Sequence, residues 1–458
     1  MPNRPEPPLF QTHFPPEEFA ERRAKVFDAI GPEAIALVQG EPKVHGSETF
    51  RQGNVFYYLC GIEIPQSYLL LDARNRKTVV FIPEADIVHA KGEGPALVAQ
   101  SPETIATLSG VDEVCGHDAL AAHLTEAKAV FVPRDPPERR MATRSGVRSG
   151  DRAIALDPWD GRLPRYERFI DLLQARFPRI TIENLSPIID GLRLIKSPRE
   201  IELLRRAGRL SALAVTEAMR STQPGVMEYH LGAIADYVFR VNGARGESYH
   251  HIIAGGPNIH FGHYSRLDSP LQDGDLLLMD GAPDYAYYTS DIGRMFPING
   301  TFSPLHRELY GFVIDYHKAI LKRIRPGVTA EDIQIDAAAE MAAVIEMTPF
   351  SKPIYEAAAR RMLEFRGHLS HPVGMTVHDV GNYRAQPLRA GTVFTVDPQM
   401  WIPEESGYIR CEDTVTVTDD GLENFTASAP LEFDDVEAEM RKPGLLQARP
   451  PVYGGPSA

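Results

Sequence analysis

Four carboxylates and one imidazole in this chain carry the types and spacing for chemistry on a divalent cation. Leu276-Leu277-Leu278-Met279 is a short apolar run bounded by turn residues, which predicts a buried strand ending in Asp280. After Gly281-Ala282-Pro283-Asp284, a stretch rich in Tyr and Thr runs through Tyr287-Tyr288-Thr289 to Asp291 and on to Met295-Phe296, which predicts the second strand of a hairpin. The separation of Asp280 and Asp291 gives them facing parity on one side of that antiparallel pair, where opposite Cβ atoms sit about 4.5–5.5 Å apart. Two ionised carboxylates so close in a partly dry place repel, so either one is protonated or a metal bridges them.

A second hairpin repeats the device. Val393-Phe394-Thr395-Val396 ends in Asp397, and Tyr408 to Val415 alternates as a half-buried strand does. Asp397 and Glu412 again have facing parity. Alternation puts Arg410 and Glu412 on one face and Cys411 and Asp413 on the other, so Glu412 is the candidate ligand and Asp413 the spare. With His371 between the hairpins in sequence, the donors make a two-metal set.

The elements that position these residues follow from the rest of the chain. Its 458 residues allow about three domains, and two are read. A hydrophobic content of 43% supports a sizeable core. The formal net charge of −14 argues against nucleic acid or an anionic membrane as partner. Cys60, Cys115 and Cys411 are too few and odd in number for a disulfide scaffold and fit a reducing compartment. Met1 to Pro16 is polar and proline-rich, not a signal peptide, and no apolar run approaches the roughly 18–20 residues of a membrane span, so the expected location is cytoplasmic.

Strands at Ala34–Val38, Tyr68–Asp72, Thr78–Ile82, Ala129–Val132 and Ile180–Asn184, with helical stretches between, predict an α/β N-terminal domain over residues 1–190. The arginine-rich segment Arg134–Arg168, interrupted by Pro and Gly, reads as a solvated loop or subunit contact rather than an acidic-ligand site. Ser197-Pro198-Arg199-Glu200 combines an N-cap serine, a proline at the first helical position and a glutamate at the third, so a long helix opens there. Ile201, Leu204, Ala207, Leu210 and Val215 give its apolar stripe. Residues 191–440, with helices at Glu228–Val241, Pro304–Ile324, Ala330–Ile345 and Ile354–Glu364 segregated from antiparallel strands, form an α+β domain. The proline- and glycine-rich tail, 441–458, is expected to be disordered.

Asp280, Asp291 in Ser-Asp-Ile-Gly-Arg, His371 in His-Leu-Ser-His, Asp397 in Thr-Val-Asp-Pro and Glu412 in Ile-Arg-Cys-Glu-Asp resemble the five metal-ligand positions of the pita-bread metallopeptidases, above all aminopeptidase P and prolidase. Phe50-Arg51-Gln52 with Phe56-Tyr57-Tyr58-Leu59 resembles their N-terminal domain, and Leu192–Glu200 their interdomain segment. The resemblance implies a pita-bread catalytic domain with two divalent ions, Mn²⁺ first and Co²⁺ or Zn²⁺ after it. Asp291 and Glu412 would bridge the ions, Asp280 completing one site and His371 with Asp397 the other. It further implies catalytic roles for His263 and His378 as donors to the substrate and its oxyanion, for Arg410 as an orienting cation, and for Asp397. The implied activity is hydrolysis of the bond before proline in proline-containing peptides, releasing the N-terminal residue, by a homodimer or homotetramer. Prolidase activity on Xaa-Pro dipeptides, a degenerate binding protein and a creatinase-like hydrolase are the alternatives; the four acids count against the last.

Two departures stand out. The family usually has glutamate, a candidate proton shuttle, at Asp397, and a histidine four positions before His371, where this chain has Gly367 beside His368. His250, His251, His260 and His368 read as ordinary polar residues rather than ligands, and Cys411 as buried and inert.

Overall fold

The computed structural model describes residues 9–43, 49–84, 97–384 and 386–451. Contacts divide the chain into two compact units, Met1–Leu192 and Arg193–Ala458.

In the first unit β1 (Ala34–Gln39), β2 (Tyr68–Asp72), β3 (Lys77–Ile82), β4 (Glu113–Gly116), β5 (Ala129–Val132) and β6 (Thr181–Asn184) form one sheet in the order β4-β3-β2-β1-β5-β6. Its centre is antiparallel, β1 to β2 to β3, while β4, β5 and β6 join in parallel. Ile35, Leu37, Leu70, Val79, Phe81 and Val130 bury one core on it. The arginine-rich segment is not simply a loop. It contains a helix, Arg144–Leu156, because Thr143 caps it and no proline interrupts it. None of that helix is fully buried, and Arg144 reaches Asp190 at 2.6 Å.

The second unit is built on an antiparallel sheet. β7 (Ile252–Gly255), β8 (Leu276–Asp280), β9 (Ile292–Pro297), β10 (Val393–Val396) and β13 (Glu412–Val417) run in the order β10-β13-β9-β8-β7, with β14 (Leu422–Asn424) also on β13. β11 (Gln399–Ile402) and β12 (Gly407–Arg410) make a separate hairpin. The expected single strand from Tyr408 to Val415 is thus split at Cys411, and β10 pairs with β13 on one side and is bridged to Pro372 through Phe394 on the other. The expected strand through Tyr287 is also absent. Tyr285 and Tyr288 exchange backbone hydrogen bonds across Ala286 (φ 51°) and Tyr287 (φ 74°), a tight turn with both central residues left-handed. Non-glycine residues resist that region, so the turn is held from outside, by Tyr288 Oη donating to Glu200 at 2.9 Å.

Glu200 is there because the helix Pro198–Ser221 starts as its sequence dictates, with a reciprocal capping box between Ser197 and Glu200. Leu204, Ala207, Leu210 and Val215 on this helix are buried, and Gly208 lets it approach Phe425, where a Cβ would lie 2.6 Å from the Phe425 Cβ. Helices Glu228–Val241, Pro304–Leu321, Ala330–Met347 and Pro353–Glu364 complete the unit. The tail departs from the expected disorder. Residues 441–451 are placed, because a short helix, Leu445–Ala448, docks on the Pro198–Ser221 helix with Leu445 N–H donating to Glu217 at 2.6 Å. Residues 452–458 lie outside the described ones. Among the described residues no helix is long and apolar enough to cross a membrane.

The double duty of Glu200 makes a stability prediction. Ser197→Ala should cost about 1 kcal/mol, the usual value of a lost cap. Glu200→Ala should cost about 2–3 kcal/mol, since it also strips a buried tyrosine of an acceptor. Denaturant unfolding of the two variants checks the order, and equal losses would contradict the shared role.

Candidate metal centre

Asp280 ends β8 directly opposite Gly293, and Glu412 opens β13 opposite the same glycine on the other side. Asp291 lies two residues before Gly293, on the same face by the two-residue period of a strand. All three carboxylates therefore converge over Gly293. A side chain there would press on both neighbours, since an ideal Cβ would sit 3.1 Å from Glu412 Cβ and 3.2 Å from Arg410 Nε. Asp291 is fixed by Thr414, whose hydroxyl accepts from Asp291 N–H and donates to Asp291 C=O, both at 2.8 Å.

His371 and His378 come from the loop that follows residue 364. His371 N–H and C=O are tied to Thr395, and the loop closes on itself through Asp379. That carboxylate is buried between Arg193 and Lys196; burial pushes its pKa up, but the two cations outweigh burial and hold it below the usual range. His371 Nδ1 lies 3.2 Å from Pro372 C=O and must donate there, which leaves Nε2 to face Asp291 at 3.3 Å and Glu412 at 3.8 Å. His378 stacks on His371 with centroids 3.8 Å apart. Dehydration and the neighbouring His371 lower the His378 pKa, so this ring is neutral at pH 7. His263 is exposed and near enough to contribute to the lowered His378 pKa.

Arg410 is the counter-cation. Its guanidinium meets Asp280 at 3.1 Å, Asp397 at 3.3 Å and Glu412. Asp397 also accepts from the Gln399 amide. Tyr249, which the sequence reading did not single out, stands between Asp280 and Asp291 with its hydroxyl 2.6 Å from each. Burial and the charge of Asp291 push the Asp280 pKa well up, whereas His371 and Arg410 outweigh burial at Asp291 and hold its pKa down. Nothing local marks Tyr249, since its partners are distant in sequence. Asp413 points to the opposite face, paired with Arg294 at 2.6 Å, with the His317 ring 3.3 Å away. His368 sits beside Phe365, its carbonyl taking the Gln334 amide.

Whether these residues suit a metal is decided by one atom. The other carboxylate oxygens of Asp280, Asp291, Asp397 and Glu412 each have a polar side chain of Tyr249, His371, Arg410 or Gln399 beside them, but Glu412 Oε1 is fully buried and has no hydrogen-bond partner among the described residues. It faces the His371 ring, and Asp291, His371 and Glu412 each bring a ligand atom within 4.8 Å of the others. A cation fits that arrangement. Asp280 and Asp397 border the group without entering it at that spacing, both engaged by Arg410. Beside Asp397 opens a cavity of about 450 Å³ with Tyr316, Met362, Phe365, Leu369 and Trp401 in its wall.

Comparison with known proteins adds a family to this geometry. Residues 202–419 match metallopeptidase family M24, and residues 19–130 match the aminopeptidase P N-terminal domain. A Xaa-Pro aminopeptidase of Escherichia coli is 30% identical, the match covering 93% of this chain and 97% of the relative. Proline aminopeptidase P II from Yersinia pestis superposes with a TM-score of 0.77 at 29% identity, over 93% of this chain and 99% of that one. A zinc-substituted E. coli aminopeptidase P in complex with product gives 0.75 at 28% identity, over 94% and 99%.

If Arg410 carries the compensating charge, Arg410→Met should destabilise the metal-free protein by about 3–5 kcal/mol, the cost of leaving buried charges unpaired. Added Mn²⁺ should then raise the melting temperature more in this variant than in the unmodified chain. Thermal unfolding with chelator and with Mn²⁺ checks this; an unchanged metal-free stability would mean that protonation, not Arg410, neutralises the acids.

Proposed function

The chain belongs to metallopeptidase family M24, and we propose that it acts as a Xaa-Pro aminopeptidase, hydrolysing the peptide bond before proline and releasing the N-terminal residue. The observation that carries the reading is the buried, unpartnered Glu412 Oε1 facing Asp291 and His371, within a chain that aligns over nearly its whole length with such enzymes. Divalent ions bound there would supply a water of lowered pKa and an electrophile for the peptide carbonyl.

The protein's own groups take the remaining work. Asp291 and Glu412 are proposed as the bridging pair, Asp280 as the outer ligand of one ion, and His371 with Asp397 as outer ligands of a second. Oxygen-rich ligation with one imidazole favours Mn²⁺, with Co²⁺ or Zn²⁺ as substitutes. His378, neutral and stacked on His371, would donate a ring N–H to the developing oxyanion, and His263 would donate from the rim. Arg410 orients Glu412 and Asp397. The short Asp397 side chain, clamped by Arg410 and the Gln399 amide, is less free than a glutamate to accept and pass on a proton. The cavity beside Asp397 would receive an apolar side chain of the peptide. We assign the chemistry to residues 191–440 and the accessory N-terminal domain to 1–190. A cytoplasmic homodimer or homotetramer completes the reading, supported by three cysteines that are all free thiols.

Chelator-treated protein should cleave an Xaa-Pro-Yaa tripeptide only after Mn²⁺ is restored, with little action on the matching Xaa-Pro dipeptide. Cleavage of the dipeptide alone would replace the reading with prolidase, and cleavage of neither would remove it. Asp291→Ala and Glu412→Ala should lose the activity together with bound metal, whereas His378→Ala should lower turnover by about 10²-fold with metal retained. Full activity in either ligand variant would contradict the assigned roles.

A further inference from the structure

One cluster outside the acid centre pairs a buried ligand with unmet bonding. His251 immediately precedes β7 and is 3% exposed, and neither ring nitrogen has a hydrogen-bond partner among the described residues. The ring cannot turn away. An ideal Cβ on Gly281 would lie 2.5 Å from Nδ1, one on Gly232 would lie 3.8 Å from Cδ2, and Phe239 packs with its centroid 5.8 Å off. Gly232 stands one turn before Asp236 on the Glu228–Val241 helix, so the approach that clamps the ring also aims it at Asp236. Nε2 faces Glu247 Oε2 at 3.3 Å and Asp236 Oδ1 at 3.6 Å. The three residues come from a helix, a loop and a strand start, yet each brings a ligand atom within 4.8 Å of the others.

Distance discriminates between a proton and a metal ion as what joins them. A charge-assisted N–H to carboxylate bond closes to about 2.7–2.9 Å, and both separations are longer. Ligands about 2.0–2.1 Å from a tetrahedral ion stand about 3.3 Å from one another, the separation of His251 from Glu247 and 0.3 Å short of that from Asp236. One imidazole with two carboxylates suits zinc, whereas calcium and magnesium prefer oxygen throughout. The Asp236 and Glu247 side chains are 42% and 22% exposed, so an ion has a way in from solvent.

We propose that Asp236, Glu247 and His251 form a zinc site separate from the acid centre, and that its ion fixes the segment 247–251. This segment runs beside the residues that follow Asp280, with Glu247 bridged to Pro283 and Ser248 N–H donating to Ala282 C=O at 2.9 Å. Between its two ligands it carries Tyr249, whose hydroxyl meets Asp280 and Asp291. The ion touches no substrate; it anchors the segment that places this phenol.

The test separates the two centres. Asp291→Ala with Glu412→Ala removes two donors from the acid centre. After chelator dialysis this variant, titrated with zinc chloride, should take up about one ion per chain by calorimetry and metal analysis, because folded ligands bind without a folding cost. Adding Glu247→Gln or His251→Gln should weaken that binding at least about tenfold. Should the double variant not fold, Glu247→Gln alone is compared with the unmodified chain, and it should hold one zinc fewer at saturation. No zinc in the double variant, or equal uptake with and without Glu247, overturns the proposal. Neither readout depends on peptide cleavage, so the proposed activity stands or falls on its own tests.

Discussion

Four carboxylates packed around a single guanidinium set the terms for the catalytic unit. Asp280, Asp291, Asp397 and Glu412 are all taken out of water, and Arg410 meets three of them. One positive charge cannot neutralise four buried acids, and unpaired buried charge is among the costliest features a fold can carry. The surplus is met by a raised pKa at Asp280, by the Tyr249 hydroxyl between two acids, and by the place for a cation beside Glu412 Oε1. Metal affinity and metal-free instability are therefore two faces of the same charge excess.

The surrounding structure holds these groups against their repulsion. Gly293 leaves the space in which Glu412 and Arg410 lie, and Thr414 grips the Asp291 backbone from the neighbouring strand. Behind the sheet, Arg294 donates both to the Glu412 carbonyl at 2.6 Å and to Asp413, so the strand that presents Glu412 is pinned from its far side. Burial drives the His317 pKa down to about 4, so a neutral ring fills the rest of that rear pocket. The histidine loop is held likewise by Asp379 between Arg193 and Lys196. Thr414, Arg294 and Asp379 each hold their part of the site through buried hydrogen bonds or ion pairs, which gives a position rather than a range of positions.

Features with local causes were legible in the sequence. The capping box at Ser197 and Glu200, the apolar run ending in Asp280, and the alternation that turns Glu412 and Asp413 to opposite faces all depend on neighbours within a few residues. Features that depend on distant partners were not. Tyr249 meets carboxylates 31 and 42 positions away, and nothing around it in sequence announces that role. His251 read as an ordinary strand residue because its partners come from a helix and a loop. The turn at Ala286 and Tyr287 carries no glycine or asparagine, so a left-handed pair there could not be anticipated. The tail looked disordered by composition, yet Glu217 and Ser221 on a helix more than 200 positions earlier give Leu445, Leu446 and Gln447 their hydrogen bonds.

The most direct test of the charge account is anomalous diffraction at the manganese edge from crystals soaked in Mn²⁺ after chelator treatment. The account predicts a peak within bonding distance of Asp291, His371 and Glu412 Oε1, with Arg410 still against Asp280 and Asp397 or displaced by a second peak. Crystals without anomalous density there, with the Glu412 carboxylate unmoved, would contradict it.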